Sequence, residues 1–184
     1  MINRIKTVLV VVLVTLAGQA LASKSSPYAG EEDREIKALS KSQIDGLLSG
    51  KGMGYAKAAE LNGYPGPAHV LELKEELSLT ADQRRKTEVI FSKMETAAKN
   101  LGANLVAAER ALNDALTSKM IDESSLSELV KNIGDIESRL RTIHLSAHLQ
   151  QTKILNNQQI SKYMALRGYG RAGHGGHQYN HHSK

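Results

Sequence analysis

The chain has 184 residues, a length that suits one domain of ordinary size. It contains no cysteine, which excludes disulfides, thiolate nucleophiles and thiolate metal sites, and with no tryptophan and one phenylalanine the core must be largely aliphatic. The formal net charge is +5, and losing Arg4 and Lys6 with an N-terminal signal would lower it further, so the charge gives no indication of nucleic-acid binding.

Residues 1–22 have the pattern of a secretory signal peptide. Two positive residues precede an apolar run over residues 8–17, and Ala20-Leu21-Ala22 offers a small-x-small cleavage site. The run is shorter than the ~20 residues of a membrane-spanning helix, although an uncleaved anchor is the alternative. We expect a periplasmic protein with no membrane attachment after cleavage, and a disordered polar leader over residues 23–30.

Three short helices are predicted before the long ones. Apolar spacing indicates a helix over residues 31–48, with acidic residues in its first turn. The glycine-rich residues 50–54 end it; they lack the G-K-S/T ending of a phosphate-binding loop, and no strand precedes them. A second helix is expected over residues 55–61, and a third begins at Pro67 and ends near Leu77.

Two long amphipathic helices joined by a short connection are the centre of the predicted fold. Apolar residues recur at steps of three and four over residues 90–116 and again over residues 126–154. Since residues 118–122 form a short turn, the helices should pack antiparallel, with Asp122 capping the second. A last helix covers residues 156–166. The sequence therefore predicts an all-α fold, a long antiparallel helical hairpin with short flanking helices within a domain over residues 31–170.

Two features of the long helices leave a choice open. Gly102 and Gly134 lie inside them, each costing about 1 kcal/mol relative to alanine, and either permit curvature or allow another backbone to approach.

Leu145 and Leu149 lie on a different face from the main apolar stripe. Either residues 69–77 or a second subunit must cover that face, and we expect a homodimer because one short segment covers little area.

A capping pattern opens the first long helix and recurs before the last helix. In Leu79-Thr80-Ala81-Asp82-Gln83, the residues Thr80 and Gln83 fit a capping box, and Asn156 and Gln159 repeat it in Leu155-Asn156-Asn157-Gln158-Gln159. Both motifs should lie at the same end of the hairpin. We expect Gln83 to supply only the return bond of its box, so that Gln83→Ala costs less than the ~1 kcal/mol of Thr80→Ala.

With these two motifs the chain resembles the LTxxQ-motif family of periplasmic proteins, which includes Spy- and CpxP-like chaperones and ZraP- and CnrX-like heavy-metal resistance proteins. The resemblance covers residues 70–166 and departs from the pattern at Asn156, where the family has threonine. It implies a hairpin subunit that dimerises into a cradle-like body without enzymatic activity. For function, the resemblance implies one of two alternatives. The first is an ATP-independent chaperone or envelope-stress protein that acts on unfolded envelope proteins. The second is a metal-binding sensor or resistance protein that acts with a sensor kinase or regulator.

Histidines form two groups of candidate metal ligands. His144 and His148 are spaced i, i+4 on a helix, so both imidazoles can reach one ion; His69 can fold back to the same end, and the hairpin register adds Met94 and Glu95. The second group lies in the glycine-rich tail over residues 171–184, which we expect to be disordered and to bind Zn²⁺, Ni²⁺ or Cu²⁺ weakly through His174, His177, His181 and His182. Alternatively, the helical histidines bond locally or face water, and the tail only aids solubility.

A basic outer face on the first long helix is a candidate client surface, formed by Arg84, Arg85, Lys86 and Lys93. Its usual interpretation is a solvated surface. In a cradle-shaped chaperone, however, positive charge beside apolar patches such as Leu145 and Leu149 attracts unfolded chains. The sequence contains no H-E-x-x-H motif and no cysteine nucleophile, and no Ser-His-Asp set is recognisable, so we expect no enzyme and no required cofactor.

Overall fold

The computed structural model describes residues 26–169. The predicted signal peptide and the histidine-rich tail lie outside these residues, as does the start of the leader. Residues 26–32 belong to a separate small unit of turns, in which the N–H of Ala29 donates to Ser26 O and the N–H of Glu31 donates to Tyr28 O, both at 3.0 Å. None of the helices over residues 26–169 is both long and apolar enough to cross a membrane.

The second unit, from Asp33 onward, is all-α in its described part, which confirms the predicted fold class. Its six helices are α1 (Lys41–Leu48), α2 (Lys57–Leu61), α3 (Pro67–Glu72), α4 (Ala81–Ser118), α5 (Glu123–Thr152) and α6 (Asn157–Leu166). The long helices α4 and α5 pack against each other; α1 and α3 contact α4, and α2 and α3 contact α5. The cradle-like shape and the dimer stay predictions.

The predicted helix over residues 31–48 is wrong in its first part. It begins only at Lys41, because Ser40 forms a capping box with Gln43 in the middle of the apolar pattern. Residues 33–40 form turns and bends that are bonded to α4 instead, where the N–H of Lys37 donates to Asn113 Oδ1 at 3.2 Å. Ile36 is fully buried in these turns, so its apolar spacing reflects core packing rather than a helix.

The predicted turn between the long helices and the predicted start of α3 are confirmed. The turn between the long helices contains Lys119 in the left-handed conformation, and Asp122 caps α5 by accepting the N–H of Ser125 at 2.7 Å. Pro67 occupies the first turn of α3 as expected. That helix ends at Glu72 rather than near Leu77, and the chain continues in turns to the cap of α4.

Two apolar clusters hold the helices together. The larger joins the middle of the hairpin to α1 and contains, among others, Leu47, Leu101, Leu105, Ile136 and Leu140. The smaller lies at the end of the hairpin where α3 and α6 meet, and it is formed by Val70, Leu77, Leu155 and Tyr163. The base of the hairpin is therefore a packed junction of α3, α6 and the segments that precede α4 and follow α5.

The structure decides between the two roles proposed for the helix glycines. A Cβ at Gly102 would overlap the carbonyl of Leu47, so this glycine lets the end of α1 approach the backbone of α4. A Cβ at Gly134 would have no described atom within 4 Å. Close approach explains Gly102, and nothing in the structure explains Gly134.

Candidate functional site

The two capping motifs meet at the base of the hairpin and bond directly to each other. Gln83 and Gln159 each close their own capping box, with Thr80 and Asn156 as the caps. Gln83 Nε2 donates to Gln159 Oε1 at 2.9 Å, and Gln159 Nε2 donates to Gln83 Oε1 at 3.1 Å. The motifs therefore bond to each other as well as capping two helices.

Further bonds tie this glutamine pair to the surrounding backbone. Gln83 Nε2 also donates to Ile154 O at 2.9 Å, and Gln159 Nε2 donates to Leu77 O at 3.2 Å. The expectation that Gln83 supplies only a return bond is therefore wrong. A sequence pattern shows the bonds within each box, whereas the bonds between boxes depend on the tertiary fold, which brings the first turn of α6 to the first turn of α4.

A cavity of about 310 Å³ lies farther along the hairpin, between its long helices and the N-terminal helices. Its walls come from the glycine-rich loop after α1, from the start of α3 and from both long helices. The side chains predicted to come together do line this one cavity: His69, Met94, Glu95, His144 and His148. The i, i+4 spacing and the register of the hairpin predicted the level of His144, His148, Met94 and Glu95, whereas His69 was expected only to be able to fold back to the same end.

His148 is held in the orientation that leaves one ring nitrogen available. Only 8% of the residue is exposed, and its Nδ1 lies 2.7 Å from Tyr64 O. A carbonyl can only accept, so Nδ1 must carry the proton of this bond, and Nε2 is the nitrogen that takes no part in it. A Cβ at Gly66 would lie 3.0 Å from that Nε2, so the glycine makes room for the ring. A backbone bond to Nδ1 is the usual support of a metal-binding histidine.

His144 is the second buried imidazole and has no partner for its Nε2 within the described residues. It is 3% exposed and stacks on Tyr55, with 6.0 Å between ring centroids. Burial, and then the proximity of His148, lowers the pKa of His144. Burial therefore favours the uncharged ring, and its Nε2 makes no hydrogen bond to any described residue. The alternative that these helical histidines face water is wrong.

The cavity does not form a complete metal site by itself. Over residues 26–169, no three histidine, aspartate or glutamate side chains are close enough together to hold one ion. His69 is more exposed than the other two histidines, and its Nδ1 bonds to Glu72 at 2.7 Å. Glu95 pairs with Lys99 at 3.1 Å. The histidines predicted in the tail lie outside the described residues.

Glu60 is a buried charged residue that sequence reasoning missed. Its Oε1 accepts the hydroxyl of Tyr163 at 2.6 Å and the Nε of Arg167 at 3.3 Å, while Oε2 has no hydrogen-bond partner in the described structure and lies 3.8 Å from His148 Nδ1. Tyr163 is fully buried, and burial together with the Glu60 bond raises its pKa. No sequence signal identified this cluster, because α2 and α6 lie about a hundred residues apart.

The basic residues predicted as a client surface differ in their surroundings. Arg84 pairs with Glu88, and both Arg85 and Lys86 pair with Asp82 on the same helix. Lys93 has no ion pair to any residue of the described chain. Leu145 is half-buried, whereas Leu149 is 50% exposed.

One side of the hairpin carries two surface clefts lined by α4 and α5 alone. We call this side the open face; it includes Ile90, Lys93, Ala97, Asn100, Arg139, Ile143, Ser146 and Gln150. Within the described part of the chain, the lining of the two clefts contains two cations and no carboxylate. The open face therefore combines half-buried apolar side chains with positive charge.

Comparison of the chain with family models, with curated proteins and with solved structures finds no match.

Proposed function

We propose that the protein is an exported, ATP-independent chaperone that holds unfolded proteins of the bacterial envelope on the open face of its hairpin. The observation that carries the proposal is the composition of that face, where Ile90 and Ile143 lie beside the cations Lys93 and Arg139. Export is supported by the pattern of residues 1–22, and the LTxxQ type by the two capping motifs.

Physical chemistry gives this surface a two-step mode of binding. Positive charge attracts segments of an unfolded chain that carry an acidic residue, and the apolar side chains then bury part of the segment. Burial of apolar area contributes about 2.5 kcal/mol per 100 Å². Shallow clefts bury only a small part of a bound segment, so the contacts are weak and exchange readily. Such contacts suit a protein that must release its clients without ATP.

The test is suppression of the aggregation of reduced α-lactalbumin by the purified mature chain. Wild-type protein should suppress light scattering at near-stoichiometric amounts, and Ile90→Ser and Lys93→Glu should each weaken suppression several-fold. Val89→Ser is the matched control, because Val89 is 48% exposed on the same helix and does not line the clefts. Absence of suppression by wild type, or an equal loss in the control, contradicts the proposal.

Homodimerisation remains part of this proposal. The half-exposed Leu149, next to the half-buried Leu145, leaves an apolar patch on α5 that the described residues cover only in part. Sedimentation at roughly 10 µM detects an association of about 7 kcal/mol. A monomer at that concentration contradicts dimerisation, and loss of the dimer in Leu149→Ser supports this surface as the interface.

Metal binding is the second candidate function, and the cavity histidines favour it. His144 Nε2 is buried without a partner, and His148 Nε2 is left free by the bond from Nδ1 to Tyr64. Neutral imidazoles are good ligands for Zn²⁺, Ni²⁺ and Cu²⁺. Calorimetric titration should show one site per chain that is lost in His144→Asn, with retained helicity as the folding control. Equal binding by wild type and variant contradicts a cavity site.

A further inference from the structure

The cavity between the long helices and the N-terminal helices is lined by a thioether as well as by imidazoles. Met94 shares its walls with His144 and His148. The same side chain also lines a surface cleft with Ile143 and Ala147, the residues that directly precede the two histidines in the sequence. Met94 therefore lies against the part of α5 that carries both histidines, and all three side chains face one enclosed space.

The other candidate ligands in the lining are engaged elsewhere. Glu95 pairs with Lys99 at 3.1 Å, and the Nδ1 of His69 bonds to Glu72 at 2.7 Å. Over residues 26–169, no three histidine, aspartate or glutamate side chains stand close enough together to hold one ion. The thioether of Met94 is therefore the remaining donor in the described lining with affinity for a soft metal ion.

Two imidazoles and a thioether favour a soft ion of low charge. Soft sulfur ligands select Cu⁺, whereas structural zinc sites in proteins are almost always four-coordinate and use thiolate, imidazole or carboxylate ligands. None of the three side chains brings a negative charge, and Ala56, Pro67 and Phe91 add apolar walls. The cost of moving an ion out of water grows with the square of its charge, so a monovalent ion costs less to bury here than a divalent one.

We propose that His144, His148 and Met94 form a Cu⁺ site in the cavity, with the ion bound between α4 and α5. This inference rests on the metal-binding function proposed above, and it names the metal and a third ligand. The Met94 side chain is unbranched and flexible, so its sulfur can move toward the ion without a shift of the helix backbone. The bond between His148 Nδ1 and Tyr64 O fixes the orientation of a ring that binds the ion through Nε2.

The test is a competition titration of Cu⁺ against the chelator bicinchoninate in the absence of oxygen, together with a calorimetric titration of Zn²⁺. Every form is the full mature chain with the four tail histidines replaced by glutamine, so that the tail contributes no imidazole. The forms compared are this parent, Met94→Leu, His144→Asn and Met120→Leu. Leucine has nearly the volume of methionine but no sulfur. Met120→Leu is the matched control, because Met120 is 86% exposed in the turn between α4 and α5.

Met94→Leu should weaken the binding of Cu⁺ and leave the binding of Zn²⁺ unchanged. Loss of a residue that only supports a ligand costs about tenfold in metal affinity, and loss of a ligand should cost at least as much. His144→Asn should weaken the binding of both metals, and Met120→Leu should change neither.

Equal Cu⁺ affinity in the parent and Met94→Leu overturns the inference, as does an equal loss for both metals or the same effect in Met120→Leu. In those cases cavity metal binding still stands if His144→Asn lowers the affinities. If His144→Asn changes the affinity for neither metal, the inference and the metal-binding function both fail.

A spectroscopic measurement makes the test independent of damage by substitution. X-ray absorption at the copper edge should show sulfur as well as nitrogen around one equivalent of Cu⁺ bound to the parent. The chain contains no cysteine, so a sulfur ligand can only come from a methionine. The sulfur signal should disappear in Met94→Leu and persist in Met120→Leu. A copper environment of nitrogen and oxygen alone in the parent overturns the inference.

Discussion

The side-chain amides of Gln83 and Gln159 exchange two hydrogen bonds, at 2.9 and 3.1 Å, across the base of the hairpin. Each amide oxygen also accepts the N–H of its own cap, and each nitrogen also donates to a backbone carbonyl. Gln83 and Gln159 thus each form hydrogen bonds both within their own motif and with the other motif. We expect this pair, rather than either cap, to fix how α6 meets α4.

The first prediction follows from this pair. Gln83→Ala should lower the free energy of unfolding by about 2–3 kcal/mol, because it removes several bonds and leaves part of the buried Gln159 amide unpaired. Thr80→Ala should cost only about 1 kcal/mol as a lost cap. Urea unfolding of both variants measures which substitution lowers the free energy of unfolding more. The sequence-based expectation was the reverse order. An equal or smaller loss in Gln83→Ala contradicts the pairing.

A double-mutant cycle gives the second prediction. Gln83→Ala and Gln159→Ala together should cost less than the sum of the single changes, by about 1 kcal/mol or more, since both remove the same two bonds. The matched control pairs Gln83→Ala with Asp122→Ala at the other end of the hairpin, and these should add. Additivity in the first pair would show that the amides do not interact.

The third prediction compares the two glycines in the long helices. Gly102→Ala should destabilise the protein by several kcal/mol, because the new methyl group would overlap the backbone of Leu47 and push α1 off α4. Gly134→Ala should stabilise it by up to about 1 kcal/mol, through helix propensity alone. Thermal melts of the two variants check this. Similar changes of melting temperature would contradict the close approach at Gly102.

The fourth prediction concerns the hydroxyl of Tyr163. Tyr163→Phe should cost about 1–3 kcal/mol, because it leaves the buried Glu60 carboxylate with only the longer bond from Arg167 Nε, at 3.3 Å, and the N–H of Gly66 without an acceptor. Tyr169→Phe is the control, since that side chain is exposed. Chemical unfolding of the two variants separates the cases, and equal stability would show that the Glu60 cluster does not hold α6.

The fifth prediction is a pH dependence at the cap of α5. The N–H of Ser125 holds the pKa of Asp122 below its usual range. A lowered folded-state pKa stabilises the fold above the unfolded value of about 3.9, and this contribution is lost as pH falls through the lower folded value. Asp122→Asn retains the cap but does not titrate. The wild type should therefore lose stability relative to Asp122→Asn on acidification, as urea unfolding at several pH values would show.

The sequence by itself determined the all-α class, the two long helices, their connection and three of the four side-chain caps. These features depend on hydrophobic periodicity and on bonds between residues three or four apart, which a linear pattern contains. It also placed His144 and His148 level with Met94 and Glu95, because two antiparallel helices joined by a short turn have a fixed register. The same reasoning misplaced the start of α1, since buried turns and a helix can share one apolar spacing.

Only the tertiary structure decided which polar groups from distant parts of the chain bond to each other. The Gln83–Gln159 pair joins residues 76 positions apart, and the Glu60–Tyr163 bond joins residues 103 positions apart. The same holds for the burial of His144 and for the contact that requires Gly102. Such contacts depend on the angle at which short helices dock onto the hairpin, and that angle follows from side-chain packing over many residues rather than from any local pattern.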